Sequence, residues 1–224
     1  MSGADAAALW LTVRLALVVT AILLALGTPL GWWLARTRSR ARPFVEAVVA
    51  LPLVLPPTVL GFYLLIGLGP ASPIGGAWLE LTGGTLTFSF TGLVLASVLY
   101  SLPFAVQPLQ AAFEAVPEPL LEAAQSLRAS PLDAFWSIAV PLSARGFLIA
   151  AVLSFAHTIG EFGVVLMVGG NIAGETRVVS IAIYEAVETL SYGDAHALSL
   201  ILLSFSFAVL LCVALFRRRP ARAV

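Results

Sequence analysis

The sequence predicts an all-α integral membrane protein, and three observations predict it. Of 224 residues, 60% are hydrophobic and 11% charged, with a mean hydropathy of +1.00. Soluble domains run near half apolar and about a quarter charged. Five stretches are apolar over the roughly 20 residues that a bilayer-crossing helix needs. Arginines gather at the ends of these stretches instead of inside them. The same composition excludes a disordered chain.

The first span is expected over about 9–35, the second over 45–68, the third over 88–113, the fourth over 142–168 and the fifth over 196–216. Trp10 and the pair Trp32 and Trp33 bracket the first span, as interfacial anchors do. No basic n-region precedes it, so it reads as a retained span and not a cleaved leader. Arg36, Arg38, Arg40 and Arg42 follow the first span, Arg128 and Arg145 lie between the third and fourth, and Arg217, Arg218, Arg219 and Arg222 follow the fifth. Five crossings put all of these on one side, which the positive-inside rule makes cytoplasmic. The N-terminus is then outside and the C-terminus inside. Residues 69–87 contain no arginine, as an external loop should.

The basic residues exclude as well as orient. All twelve are arginine, and none is lysine. A phosphate-binding G-x-x-x-x-G-K-[ST] loop needs its lysine, so ATP hydrolysis would have to come from another polypeptide. Two His, one Cys and no C-x-x-C or H-E-x-x-H pattern give no metal site. No nucleophile elbow is present. The arginine clusters lack interleaved aromatics, which argues against nucleic acid. They suit an anionic lipid surface.

The loop over 114–141 is the most informative soluble segment. A short helix fits about 119–127, with Leu120, Ala124 and Leu127 on one face at helical spacing. Ser130 then caps a second helix, with Pro131 at its first position and Asp133 in the capping-box role. By spacing alone this is either a solvated connector or a docking element for a cytoplasmic partner.

Glu122-Ala123-Ala124, with Ile138 and Leu142 around Pro141, resembles the EAA loop of type I ABC importer permeases. The stretches LPLVLPPTVLG (51–61), SFAHTIGEFG (154–163) and GNIAGETR (170–177) sharpen the resemblance to the permeases of molybdate importers, with related versions in sulfate and tungstate permeases. It spans nearly the whole chain. It implies a permease domain over 9–213, between a short external segment (1–8) and a basic cytoplasmic tail (214–224). It also implies two copies forming a pathway, cytoplasmic ATPase subunits carrying ATP and Mg, an external oxyanion-binding protein, and a place in the bacterial inner membrane. No cofactor is implied on this chain. Glu118, Glu122, Ala123, Ala124, Arg128, Ser130 and Asp133 would couple to the ATPase. Arg128 stands where the family loop usually has Gly. A left-handed residue there would cost an arginine about 1 kcal/mol or more, so either the turn differs or an interface contact compensates.

Other residues carry two readings each. Glu161 is a carboxylate in an apolar span and His157 precedes it by four, so the two could touch on one helix face. They form either a pathway or gate pair or a structural clamp. Direct ligation of a dianion by a carboxylate is not expected. His157 stands where many relatives carry Arg, and near neutral pH it is mostly uncharged. Pro52, Pro56 and Pro57 should interrupt the second span, as a pathway-lining kink or an ordinary one. Gly160, Gly163, Gly169 and Gly170 favour tight packing over a hinge, and Gly160 and Gly163 join Pro56, Pro57, His157 and Glu161 as pathway or gate candidates. Asn171, Glu175, Thr176 and Arg177 lie in an external loop, facing a partner or the passing anion, or merely solvated with a local Glu175–Arg177 pair. Tyr184, Glu185 and Glu188 fall on a short amphipathic helix. An autonomous secondary transporter would need no EAA loop, and a membrane enzyme would need a nucleophile, base or metal set that is not found.

Overall fold

The chain is described over residues 3–217 by a computed structural model. Its helices are α1 (Gly3–Arg36), α2 (Arg42–Val54), α3 (Pro57–Leu68), α4 (Pro73–Thr82), α5 (Phe90–Glu114), α6 (Glu118–Ser126), α7 (Pro131–Ala134), a π-helical turn (Phe135–Ala139), α8 (Val140–Leu142), α9 (Ala144–Gly160), α10 (Gly163–Gly169), α11 (Val179–Glu188) and α12 (Tyr192–Arg217). Three of them, α1, α5 and α12, are long and apolar enough to cross a membrane, and two bent helix pairs raise the number to five.

Helix α5 is the spine. It packs against α1, α2, α9 and α10. Leu93, Val94, Val98 and Ala105 of α5 join Leu11, Leu15, Val19 and Leu23 of α1 in the main apolar core. Ser89 starts the helix by accepting the Gly92 N–H, one of the orphan donors of a first turn. At the other end, the Arg36 guanidinium donates to the carbonyls of Phe113 and Val116 at 2.9 Å each. Arg36 therefore acts as a helix C-cap. Arg42 pairs with Glu46 and with Glu114, and Gln110 bridges the two acids. That network ties the start of α2 to the last turn of α5.

Several expected boundaries shift. The expected external segment 1–8 is helical from Gly3, because an alanine-rich run extends the first helix toward the N-terminus. Pro52 lies inside α2 and does not interrupt it. The interruption falls at Leu55 and Pro56, both extended with ψ 135°. Each precedes a proline, and proline drives its predecessor out of the helical region. The two halves of the second span are bent by 112°. The expected fourth span is bent by 70° between Leu142 and Ala144, then broken again after Gly160, where Glu161 is extended (φ −69°, ψ 134°). The fifth span begins at Tyr192, earlier than expected. Arg218, Arg219 and Arg222 lie outside the described residues.

Three non-glycine residues adopt positive φ: Phe88, Arg128 and Leu190. Arg128 and Leu190 share one cause. After α6, Arg128 N–H donates to Gln125 O and Ala129 N–H to Ala124 O; after α11, Leu190 N–H donates to Val187 O and Ser191 N–H to Ala186 O. Both are Schellman ends, in which the left-handed position is usually glycine. The left-handed turn at the end of α6 is thus kept although an arginine occupies it. Leu190 is 70% exposed and contributes little by burial. Leu190→Gly should raise stability by about 1 kcal/mol, read as a higher thermal midpoint of the detergent-solubilised protein.

Candidate functional site

The interruptions in the second span and in the α9–α10 segment pack against each other. Helix α10 lies on α3 so closely that a Cβ on Gly163 would sit 2.8 Å from Pro57 Cβ, and one on Gly61 would sit 2.8 Å from Met167 Cβ. Gly169 is tighter still against Leu93. Packing is therefore the role of Gly163 and Gly169, as small residues in membranes allow. Gly160 differs, with no atom within 4 Å of where its Cβ would be.

That open side belongs to a cavity of about 590 Å³ lined by Pro57, Thr58, Tyr100, Ala156, His157, Gly160, Glu161, Phe162 and Gly163. Five of the six residues singled out as pathway or gate candidates line it, from stretches a hundred residues apart in sequence. Pro56 does not; it sits one residue back as the N-cap of α3.

The expected His157–Glu161 contact is not made. The helix ends at Gly160, so the i,i+4 geometry it relied on is lost. His157 instead faces α5. Its Nδ1 is 2.9 Å from Ser101 Oγ, its ring stacks on Phe104 at 3.9 Å and 24°, and it tilts against Tyr100 at 4.8 Å. Glu161 is 3% exposed, the only buried acidic side chain among the described residues. Ser97 Oγ approaches its carboxylate, but neither group completes a hydrogen bond. The Glu161 backbone is better served: its carbonyl, freed by the helix break, accepts from Ser180 Oγ at 2.6 Å.

The loop candidates lie apart from this cavity, and none of the four lines it. Asn171 and Glu175 are exposed. Thr176 is buried, its hydroxyl accepting the Ile172 N–H to close the loop. Arg177 pairs with Glu185 of α11 at 2.8 Å, not with Glu175.

The coupling candidates form a third group. Glu118, Glu122 and Ala123 are exposed on α6, while Ala124 is covered. Ser130 accepts the Asp133 N–H as the cap of α7. The Asp133 carboxylate does not return the bond; it accepts from Ser137. Of the apolar face of α6, only Ala124 is buried, with Leu120 and Leu127 exposed. Leu132 and Trp136 are exposed as well, and they line a groove with Leu24, Thr28 and Pro29 of α1.

With this geometry, the relatives are informative. A family model described as "Binding-protein-dependent transport system inner membrane component" matches residues 27–222. The chain belongs to that family. It is 57% identical to the molybdenum transport system permease protein ModB of Azotobacter vinelandii, over 99% of this chain and 98% of that one. It is 35% identical to ModB of Escherichia coli K12, over 90% and 89%. Among solved structures, a bacterial alginate ABC transporter in complex with an alginate-bound periplasmic protein matches with TM-score 0.78 at 15% identity, covering 100% of this chain and 81% of that one. This last likeness shows the fold.

Sequence reasoning missed Thr58 and Tyr100, which line the cavity, and Ser101 and Phe104, which hold His157 from α5. Their signal was faint: Ser97 and Ser101 one helical turn apart, beside a tyrosine, in an otherwise apolar span. Gly163→Ala should cost about 1–3 kcal/mol through overpacking on Pro57, whereas Gly160→Ala should change stability little. Thermal unfolding of the two purified variants compares them directly.

Proposed function

We propose that this chain is the permease subunit of a molybdate ABC importer. The observation that carries this is the meeting of the 51–61 and 154–163 stretches in one cavity, in a chain similar along its whole length to molybdenum permeases. Two copies form the pathway. The N-terminus faces outward, and α6 with α7 faces the cytoplasm. An external binding protein delivers the anion, and ATP is bound and hydrolysed on a separate subunit.

The mechanism follows from connectivity. Three residues link the end of α5 to the start of α6, and α7 leads through the π turn and α8 into α9. Force applied to this loop therefore reaches α5 and α9 together. These two helices carry Tyr100, His157 and Gly160 of the cavity wall. The exposed Leu120 and Leu127, on the apolar face of α6 and at its end, are the docking face, since apolar patches left on a surface mark partner sites. Closure of the ATPases would move this face and turn the cavity from one side of the membrane to the other. The two states must lie within a few kcal/mol, or nucleotide could not exchange them. The loop over 171–177 is the candidate contact for the binding protein. Glu161 holds α9 and α10 in register instead of binding the anion.

The test is uptake of labelled molybdate by cells lacking the gene, complemented by the parent or by Leu127→Asp. Leu127 is 84% exposed, so the substitution leaves the fold intact and strikes only the docking face. Loss of a central apolar contact at an interface commonly costs about 2 kcal/mol or more. The expected result is uptake restored by the parent, competed by tungstate and weakly by sulfate, and reduced at least tenfold in the variant together with copurification of the ATPase. Restored uptake of sulfate but not molybdate would overturn the substrate. Full uptake by the variant would overturn the docking face.

A further inference from the structure

We infer that the groove between α1 and the α7–α8 segment holds one acyl chain of an anionic phospholipid, with Arg36 taking the headgroup phosphate. The site is separate from the cavity described above, and it stands whichever anion the importer carries.

The groove measures about 470 Å³. Leu24, Ala25, Thr28 and Trp32 of α1 form one wall, and Leu132 and Trp136 stand in the other. These walls ask for no polar ligand. The Thr28 hydroxyl donates to the Leu24 carbonyl at 2.6 Å, so the helix already satisfies it. No charged side chain is among the described residues that line the groove. Asp133, next to Leu132, is outside the lining, and its carboxylate accepts from Ser137. Water gains little from such a surface, and a hydrocarbon chain suits it.

The length fits a chain of one leaflet. From Leu24 to Trp32 a helix rises about 12 Å. The hydrocarbon of one leaflet is about 15 Å thick, half of the bilayer core. Trp32 and Trp33 close that stretch, as interfacial residues do. Leu132 is 71% exposed and Trp136 64%, so this wall is open to what surrounds the protein.

One end of the groove is cationic. Leu24, Thr28, Trp32 and Arg36 recur every four residues and so lie along one stripe of α1. The Arg36 guanidinium carbon is 5.2 Å from the centre of the Trp32 ring. Its Nη2 is held by the carbonyls of Phe113 and Val116. Its charge has no acidic partner among the described residues. The charge is therefore fixed at the groove's end and left unneutralised. Arg38 and Arg40 follow, both exposed and without an ion pair among the described residues. Basic pockets beside membrane helices recruit anionic headgroups. An apolar stripe that ends in an unpaired cation is complementary to an anionic phospholipid. A zwitterionic lipid would fill the groove but gain less from the arginine.

The test maps lipid contacts on the assembled importer in phosphatidylcholine vesicles. A minor fraction of phosphatidylglycerol, or of phosphatidylcholine, carries a diazirine on one acyl chain, and mass spectrometry locates the crosslinks. Leu200, Leu203 and Phe207 of α12 are exposed and report ordinary lipid contact. The expected result is crosslinking at 24–32 and 131–136. Its preference for phosphatidylglycerol should exceed that at α12 by about fivefold, the weight of one arginine against an anionic lipid. Ala25→Phe fills the groove and should remove these crosslinks for both lipids. Arg36→Gln should lower the preference to that of α12, and Arg36→Lys, which keeps the charge, should retain it. Equal preference at the groove and at α12 would overturn the anionic site. Crosslinking at α12 with none in the groove would give the groove to a protein partner and overturn the lipid. A preference unchanged in Arg36→Gln, or lost equally in Arg36→Lys, would restrict Arg36 to capping α5 and overturn its headgroup role.

Discussion

Backbone polar groups inside a bilayer have no water to bond to, and that constraint governs this molecule. A continuous helix satisfies them; a broken one must find other partners. This chain breaks two membrane-embedded segments, at Leu55–Pro56 and at Glu161–Phe162. Each break is covered by the other. Pro57 sits on Gly163, and Met167 sits on Gly61. Ser180 supplies the donor that the Glu161 carbonyl lost. The cost of the breaks is offset by their pairing, and the space left between them is the cavity.

Helix α5 makes that arrangement possible. It contacts both partners of the pair, buries its apolar stripe against α1, and offers Tyr100, Ser101 and Phe104 to His157. Its C-terminal end is held by Arg36 and by the Arg42–Glu46–Gln110–Glu114 network. Directly beyond that anchored end comes the exposed loop of α6 and α7. A rigid spine with an exposed loop at one end and a cavity wall along its length is what the proposed force transmission requires. Helix α12, by contrast, packs only on α9 and α11 among the larger contacts, and its Leu200, Leu203 and Phe207 face outward, as lipid-facing residues do.

The spans were legible because hydropathy and arginine placement are strong, local signals. So were α6 and α7, through helical spacing and the Ser130 cap. The break at Leu55–Pro56 was legible from the paired prolines, though Pro52 proved harmless within α2. The break at Glu161 was not, since no proline marks it. It depends on α10 finding a close seat on α3, which is a tertiary fact. For the same reason a His157–Glu161 contact looked natural on a continuous helix and vanished once the helix ended. The Arg128 turn shows the opposite case: the hydrogen bonds of the α6 end were strong enough to hold an arginine where glycine is usual.

The most direct test of the paired-break cavity is thiol labelling in the assembled importer. With Cys212→Ser as background, Thr58→Cys, Gly160→Cys and Val164→Cys are treated with a hydrophilic, membrane-impermeant thiol reagent during turnover. Val164 is on α10 but fully buried. The account predicts labelling at positions 58 and 160, slowed by molybdate delivered on its binding protein, and none at 164. No labelling at 58 and 160, or labelling there that transport does not alter, would contradict it.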